Sequence, residues 1–214
     1  AKGAKYHPET GLPYRAFCEW TGSTMCLVPA GKFVMGLDRG NRDERPAHEV
    51  YLESFYIDMF EVTNEMFAMF LDMRGIEDSP EARELFDMDE YGVIFMNGRW
   101  MPTPGVEKHP VVCVTWKGAQ MYADWAGMAL PTEAQWEKAA RGTDGRLYPW
   151  GNKFNVRLCN CMQSGIAHTT PVNQYEGGVS PYGCWDMAGN VWEWCADWYD
   201  PDYYASSPDY EPMG

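Results

Sequence analysis

The spacing of apolar residues predicts three helices in the middle of the chain. The first two each begin after a threonine that can cap a helix, Thr63 and Thr115. The third has the strongest signals, because Thr132 and Gln135 form a capping box and Gly142 follows the helical stretch. The apolar stripes behind the first two caps are Met66, Phe67, Phe70 and Leu71 in one helix, and Ala119, Tyr122, Ala123 and Ala126 in the other.

Short apolar or alternating runs predict strands at residues 27–36, 48–58, 93–100 and 111–114. The first run is expected to be a hairpin that turns at Ala30 and Gly31, and the third a hairpin that turns at Asn97 and Gly98. Residues 1–24 show no clear period. We therefore predict an N-terminal arm at 1–24 and a single domain at 25–214.

Composition adds that the fold is irregular. Aromatic residues make up 15% of the chain and glycine and proline are plentiful, which predicts an α+β fold with little regular secondary structure and an aromatic-rich core. Residues 183–198 hold four tryptophans beside the side-chain oxygens of Asp186, Asn190, Glu193 and Asp197. We predict a rigid core segment whose oxygens accept indole N–H groups or bind a hard cation such as Ca²⁺.

Charge excludes two classes of partner. The net charge of −14 would repel nucleic acid and an anionic membrane surface. No apolar run approaches the ~18 residues that a membrane-spanning helix needs. Seven cysteines would leave one unpaired in an oxidising compartment, and this pattern favours an extracytoplasmic location, periplasmic or secreted.

Several motifs resemble the formylglycine-generating enzyme (sulfatase-modifying factor) family, in that family's order. They are VPAGKFVMG at 28–36, LPTEAQWEKAARG at 130–142, YPWGN at 148–152 and GNVWEW at 189–194. The resemblance implies the family's FGE-sulfatase fold, which is related to C-type lectins. It also implies a domain that is incomplete at its C-terminal end relative to the family pattern, because the sequence ends at Gly214.

The resemblance leaves two functions open. Formylglycine-generating members use Cu(I) held by two cysteines in an Arg-Gly-Gly-Ser segment, and none of the seven cysteines here has that context. The His-x₃-His-x-Glu iron pattern of the related sulfoxide synthases is also missing. One hypothesis is therefore a non-catalytic, Ca²⁺-braced binding or structural subunit of a larger assembly. The alternative is a copper-dependent oxidase that converts a sulfatase cysteine to formylglycine, if a cysteine pair lies beyond Gly214.

Two calcium sites follow from the resemblance. The first maps onto Asn190, the Val191 carbonyl and Glu193, with Gly189 allowing close backbone approach. Amide, carbonyl and carboxylate oxygens suit Ca²⁺. The alternative is that Asn190 and Glu193 satisfy buried donors.

The second calcium site maps onto Asn160 and the carbonyl of Cys161. Ser164 stands where the family has an aspartate, and Ile166 stands at a further carbonyl. The lost carboxylate weakens this prediction.

Other groupings have a structural interpretation beside a chemical one. Cys159, Cys161 and His168 could hold a soft metal, although small buried or bridged cysteines fit equally well. Cys184 and Cys195 could form a disulfide, with free buried thiols as the alternative.

Three further groups are interpreted as structural. We expect Glu133 and Glu137 to cap and hydrogen-bond within the core rather than to form a catalytic carboxylate pair. His48 and His109, at predicted strand entries, are expected to be structural hydrogen-bonding residues.

Overall fold

The computed structural model describes residues 4–87 and 92–214, so the first three residues of the predicted arm lie outside it. All three predicted helices are confirmed. They are α1 (Asn64–Met73), α2 (Trp116–Ala126) and α3 (Glu133–Arg141). The Thr63, Thr115 and Thr132 side chains each accept a backbone N–H in the first turn, and the capping box of α3 is complete.

Seven short strands form three small sheets in the described part of the chain. One sheet has the order β1-β2-β5, and the other two are the pairs β3-β4 and β6-β7, all antiparallel. The strands are β1 (Arg15–Phe17), β2 (Thr24–Val28), β3 (Gly31–Met35), β4 (His48–Leu52), β5 (Phe55–Asp58), β6 (Val93–Met96) and β7 (Arg99–Pro102).

The predicted hairpin at 27–36 is wrong, whereas the one at 93–100 is confirmed. β2 and β3 enter different sheets, because the chain between them wraps around the buried ammonium of Lys138. The Lys138 Nζ donates to the carbonyls of Pro29 at 2.9 Å and Gly31 at 2.8 Å. Asn97 and Gly98 both have positive φ, as the turn of a two-residue hairpin requires.

Two other strand predictions need correction. Residues 48–58 form two strands in different sheets, although Val50 and Leu52 are both buried on one face as predicted. The break falls at Ser54, whose hydroxyl accepts the N–H of Ala30 at 2.8 Å. Residues 111–114 are not a strand, because Cys113 has φ +59 and Val114 makes only an isolated bridge.

Three buried clusters form the core. The first packs α1 against α2 through the rings of Phe67, Phe70 and Tyr122. The second lies between β2 and α3, and the third lies between the β3-β4 pair and α3. This arrangement places α3 in the centre of one half of the molecule.

The segment at 183–198 differs from the prediction of a rigid buried core. It contains no helix or strand, and Trp192 and Trp198 are exposed, while Trp194 is half exposed. The indole of Trp194 nevertheless has an acceptor, the carbonyl of Val114 at 2.8 Å. The high density of tryptophan therefore belongs to a surface segment with exposed aromatic rings and not to a buried core. The backbone there has no regular secondary structure that would direct all the rings to one side.

Three further predictions concern the N-terminal arm, the cysteines and the lack of a membrane-spanning helix. Strand β1 lies within the segment assigned to the arm and pairs with β2. Cys184 lies beside Cys26 rather than Cys195, and both Cys184 and Cys195 are free thiols, which is the alternative to a disulfide that the sequence left open. Across the described ranges, none of the helices has both the length and the apolar character needed to span a bilayer.

Candidate functional site

A cavity of about 1310 Å³ opens beside the β1-β2-β5 sheet. All four β5 residues line it, together with residues 111–114 on one side and 190–194 on the other. Its wall joins apolar surface with the exposed Trp192 and with carboxylates. A space of this size can accept a drug-sized ligand or a short stretch of polypeptide.

Three carboxylates line this cavity, Asp58, Glu61 and Glu193. None of them takes part in a salt bridge within residues 4–87 and 92–214. Burial raises the pKa of Asp58 to about 6 and the pKa of Glu193 to about 7. Burial also raises the pKa of Glu61 to about 9, and the negative charges of Asp186 and Glu193 contribute further. The cavity wall is therefore acidic and lacks a counter-charge.

Asn190 fixes the position of Glu61. Its Nδ2 donates to the Glu61 carboxylate at 3.1 Å and to the carbonyl of Thr170 at 3.2 Å. Its Oδ1 accepts from the N–H of Thr170 at 2.9 Å and from Nδ2 of Asn160 at 3.2 Å. The amide predicted as a calcium ligand is thus already committed to a hydrogen-bond network that holds the cavity wall.

Gly189, which the resemblance placed in the first calcium site, sits where two backbone segments meet. It has φ +114, and a Cβ atom there would lie 2.2 Å from the carbonyl oxygen of Asn160. The N–H of Asn190 donates to that same carbonyl at 2.8 Å. Only glycine therefore allows this approach.

Asp186 is one of the oxygen-bearing residues noted in the segment at 183–198, but it belongs to neither of the two calcium sites that the resemblance implied. Asp186 is buried, and neither of its carboxylate oxygens has a hydrogen-bond partner among residues 4–87 and 92–214. Burial and the nearby charge of Glu193 raise its pKa to about 7. The Asp186 and Glu193 carboxylates are close enough for the charge of one to affect the other, and carboxylates together with the backbone carbonyl of Val191 are the kinds of oxygen that suit a hard cation.

At the second predicted calcium site, a hydroxyl already uses the candidate oxygens. The Ser164 Oγ lies 3.2 Å from Oδ1 of Asn160 and 2.7 Å from the carbonyl of Cys161. Ile166 donates its N–H to the same hydroxyl at 3.4 Å. The serine that stands where the resemblance expects an aspartate thus hydrogen-bonds to both candidate oxygens.

The other groupings behave as structural residues. The Cys159 thiol is buried beside that of Cys161, which raises its pKa to about 11, while the His168 Nδ1 pairs with the Thr169 carbonyl at 2.7 Å. Among the described residues, no three or more His, Cys, Asp or Glu side chains are placed to share a metal ion.

The paired glutamates and the histidines are confirmed as hydrogen-bonding residues. Glu133 and Glu137 both accept from the hydroxyl of Tyr204, at 3.0 and 3.3 Å. The Nδ1 of His48 pairs with the Pro46 carbonyl at 2.9 Å, and the Nδ1 of His109 pairs with the Thr169 hydroxyl at 2.9 Å.

The four buried or cavity-lining carboxylates with raised pKa make the free energy of unfolding depend on pH. Because the folded-state pKa of Asp58, Glu61, Asp186 and Glu193 is raised, the native protein binds more protons than the unfolded chain over this range. In a chelator, we expect the free energy of unfolding to fall by about 2 kcal/mol or more between about pH 5 and about pH 8. Urea unfolding at each pH measures this. A free energy that rises over the same range would contradict the placement of these carboxylates.

Comparison with known proteins identifies the family. The family model described as "Sulfatase-modifying factor enzyme 1-like domain" matches residues 14–212. The chain belongs to this family. The match includes strand β1, which pairs with β2.

Relatives of this sulfatase-modifying factor domain have names that state different activities. "Formylglycine-generating enzyme" of Streptomyces coelicolor is 36% identical, over 87% of this chain and 73% of that protein. "Inactive C-alpha-formylglycine-generating enzyme 2" of Mus musculus is 34% identical, over 83% of this chain and 70% of that protein. "Serine/threonine-protein kinase pkn1" of Chlamydia caviae is 44% identical over 86% of this chain, which spans 29% of that protein.

A solved structure shares the fold. The structure of PvdO from Pseudomonas aeruginosa has a TM-score of 0.71 and 24% identity, over 93% of this chain and 79% of that one. This comparison concerns the fold alone. The chain thus has an FGE-sulfatase-like fold that mixes strands with few helices, as the sequence predicted.

Proposed function

We propose that this domain is a binding module without formylglycine chemistry, and that its ligand occupies the cavity beside β5. The observation behind the proposal is the wall on which Glu61 and Glu193 face open space without a counter-charge, next to the exposed Trp192. The raised pKa values of Glu61 and Glu193 show that their charged forms are disfavoured there, and a cationic ligand would stabilise those forms. The same ligand would cover the indole of Trp192, which is exposed to water. A matching charge on the ligand would favour this site over others on an acidic surface.

Four further observations support a role without catalysis, as one part of a larger assembly. None of the seven cysteines lies in the Arg-Gly-Gly-Ser context of the copper site. Glu133 and Glu137, the pair that could resemble a catalytic site, are used to hold Tyr204. One relative is itself named inactive. In the kinase relatives the matching part is about three tenths of the protein, which supports a role as one part of a larger assembly.

Ca²⁺ would brace the segment that carries Trp192. Asp186 and Glu193 would supply carboxylate oxygens and Val191 a carbonyl, because the orphaned oxygens of Asp186 fit a hard cation. The ion would supply only charge compensation. Gly189 and Asn190 would act through backbone packing and through the network to Glu61, as their present contacts do.

Calcium is expected to raise the melting temperature. Binding to the native state alone adds about 2.7 kcal/mol when the free ion is a hundredfold above its Kd, which is several degrees for a domain of this size. Asp186→Asn should remove most of the shift. The matched control is Asp144→Asn, because Asp144 is an exposed partner of Arg146. An equal shift in Asp186→Asn would contradict the proposed ligand.

Oxygen consumption separates binding from oxidation. With copper, a reductant and a Cys-x-Pro-x-Arg peptide, we expect the isolated chain to consume no oxygen above a copper blank and to leave the peptide cysteine unchanged by mass. Copper-dependent uptake with conversion of that cysteine would contradict the proposal.

That outcome would favour the second candidate, a formylglycine-generating oxidase. Its support is the 36% identity to an enzyme of that name over 73% of the enzyme's length. This function would require a copper-binding cysteine pair in addition to the cysteines here.

A further inference from the structure

Strand β5 is an edge of its sheet. It pairs with β2 on one side, and no described strand pairs with its other side. The direction of its free backbone groups follows from the register. The N–H of Leu27 in β2 donates to the carbonyl of Tyr14 at 3.1 Å, so the backbone groups of Leu27 point toward β1. Leu27 and Tyr56, which lie opposite each other in β2 and β5, are therefore a pair that exchanges no backbone hydrogen bonds.

The same alternation applies one pair further along. The N–H of Met59 donates to the carbonyl of Thr24 at 2.8 Å, so the backbone of Met59 bonds toward β2. By the same alternation Ile57 also bonds to β2, and the backbone groups of Asp58, which lies between them, point away from β2. The N–H and C=O groups of Tyr56 and Asp58 therefore lie on the free edge. Such an edge is a template for an added strand.

The free edge lies on the cavity wall. Side chains of consecutive strand residues point to opposite faces of a sheet, yet all four residues from Phe55 to Asp58 line the same cavity. A cavity at the edge of the strand, rather than over one face, explains this. The open space is thus placed where a fourth strand would continue the sheet.

The charges beside this edge select the kind of strand. Asp58 is the last residue of β5. Its buried Oδ1 has no hydrogen-bond partner among the described residues, whereas the Ser23 side chain hydrogen-bonds to the same carboxylate. Glu61 follows three residues later and is held toward the cavity by Asn190. The salt bridges in the described ranges include neither carboxylate. A basic side chain would supply the positive charge that both Asp58 and Glu61 lack. Its aliphatic stem could pack against the apolar part of the cavity wall.

We propose that an extended segment of a partner polypeptide adds to β5 as a fourth strand and places an arginine or lysine against Asp58 and Glu61. The inference rests on the proposed function, because it names the ligand class of the same cavity. Main-chain hydrogen bonds to Tyr56 and Asp58 supply affinity without sequence preference. The carboxylates and the apolar wall supply the preference.

A set of three short peptides tests both parts. The probe is an acetylated, amidated peptide of alternating valine and threonine with a central arginine. The second peptide replaces arginine with citrulline, which has the same shape without the charge, and the third has N-methylated backbone amides on one edge. We expect the arginine peptide to bind at least about tenfold more tightly than either variant, as measured by calorimetry.

Amide hydrogen exchange reports on the strand itself. When the arginine peptide is bound, exchange at Tyr56 and Asp58 should slow, whereas Ile57, which already bonds to β2, should change little. Glu61→Gln should bring the affinities of the arginine and citrulline peptides together, and Glu49→Gln, in an exposed pair with Lys32, is the matched control.

Each other outcome overturns part of the inference. If the citrulline peptide binds as tightly as the arginine peptide, the partner does not need a basic side chain. If amide exchange at Tyr56 and Asp58 is unchanged, the peptide does not add to β5 as a strand. If none of the peptides binds, the whole inference is overturned. The proposed function is contradicted separately, by copper-dependent oxygen uptake, so the two failures are distinguishable.

Discussion

Gly189→Ala is expected to lower the free energy of unfolding by about 3 kcal/mol or more, because the new Cβ would overlap the backbone oxygen of Asn160. The contact would be 2.2 Å, and neither partner is a flexible side chain. The positive φ of +114 adds backbone strain. Relief would require the segment at 189–194 to move away from Asn160 and would disturb the cavity wall. Urea unfolding measures the loss.

Gly151→Ala is the matched control for this variant. Gly151 has a similar φ of +129, but a Cβ there would meet no atom within 4 Å. We expect a loss of about 1 kcal/mol, which is the backbone strain alone. Equal losses in the two variants would show that the close approach of Gly189 to Asn160 is not a constraint of the native state.

Glu137→Ala is expected to cost about 3–5 kcal/mol of stability, because it leaves a buried charge without its partner. Glu137 pairs with Arg141 along α3, and both side chains are only 12% exposed. Its carboxylate also accepts the N–H of Gly36 at 2.9 Å and the hydroxyl of Tyr204 at 3.3 Å. The substitution therefore removes the link between α3, the end of β3 and the C-terminal part of the domain.

Glu49→Ala provides the comparison for a pair on the surface. Glu49 pairs with Lys32, and their side chains are 58% and 65% exposed. An ion pair in water contributes about 0–1 kcal/mol. Chemical unfolding of both variants should therefore separate them clearly. A small loss for Glu137→Ala would mean that Arg141 finds water or another acceptor when the glutamate is removed.

The helices were predictable from the sequence because their signals are local. The caps at Thr63 and Thr132 act on backbone groups within a few residues, and the apolar stripes follow the helical period. Strand pairing is a long-range choice, and it was predicted wrongly for β2 and β3. Their separation depends on Lys138, which is distant in sequence and binds the carbonyls between them.

The candidate site was predictable only in part. The motif at 189–194 drew attention to Gly189 as part of an implied calcium site, whereas the close approach in the structure is to the backbone of Asn160. Asp58 and Glu61 were not singled out, because nothing in their immediate sequence distinguishes them from other acidic residues. Their importance comes from burial and from the missing counter-charge, which depend on the packing of distant segments.

The exposure of Trp192 offers the measurement that decides whether the cavity is a binding site. In protein labelled with 5-fluorotryptophan, the resonance of Trp192 is identified by its loss in Trp192→Phe. Trp150, whose indole donates to the Lys153 carbonyl at 2.9 Å away from the cavity lining, is the internal reference. Addition of the arginine peptide should shift the Trp192 signal and leave that of Trp150 in place. Peptide binding with an unmoved Trp192 signal would contradict a ligand site in this cavity.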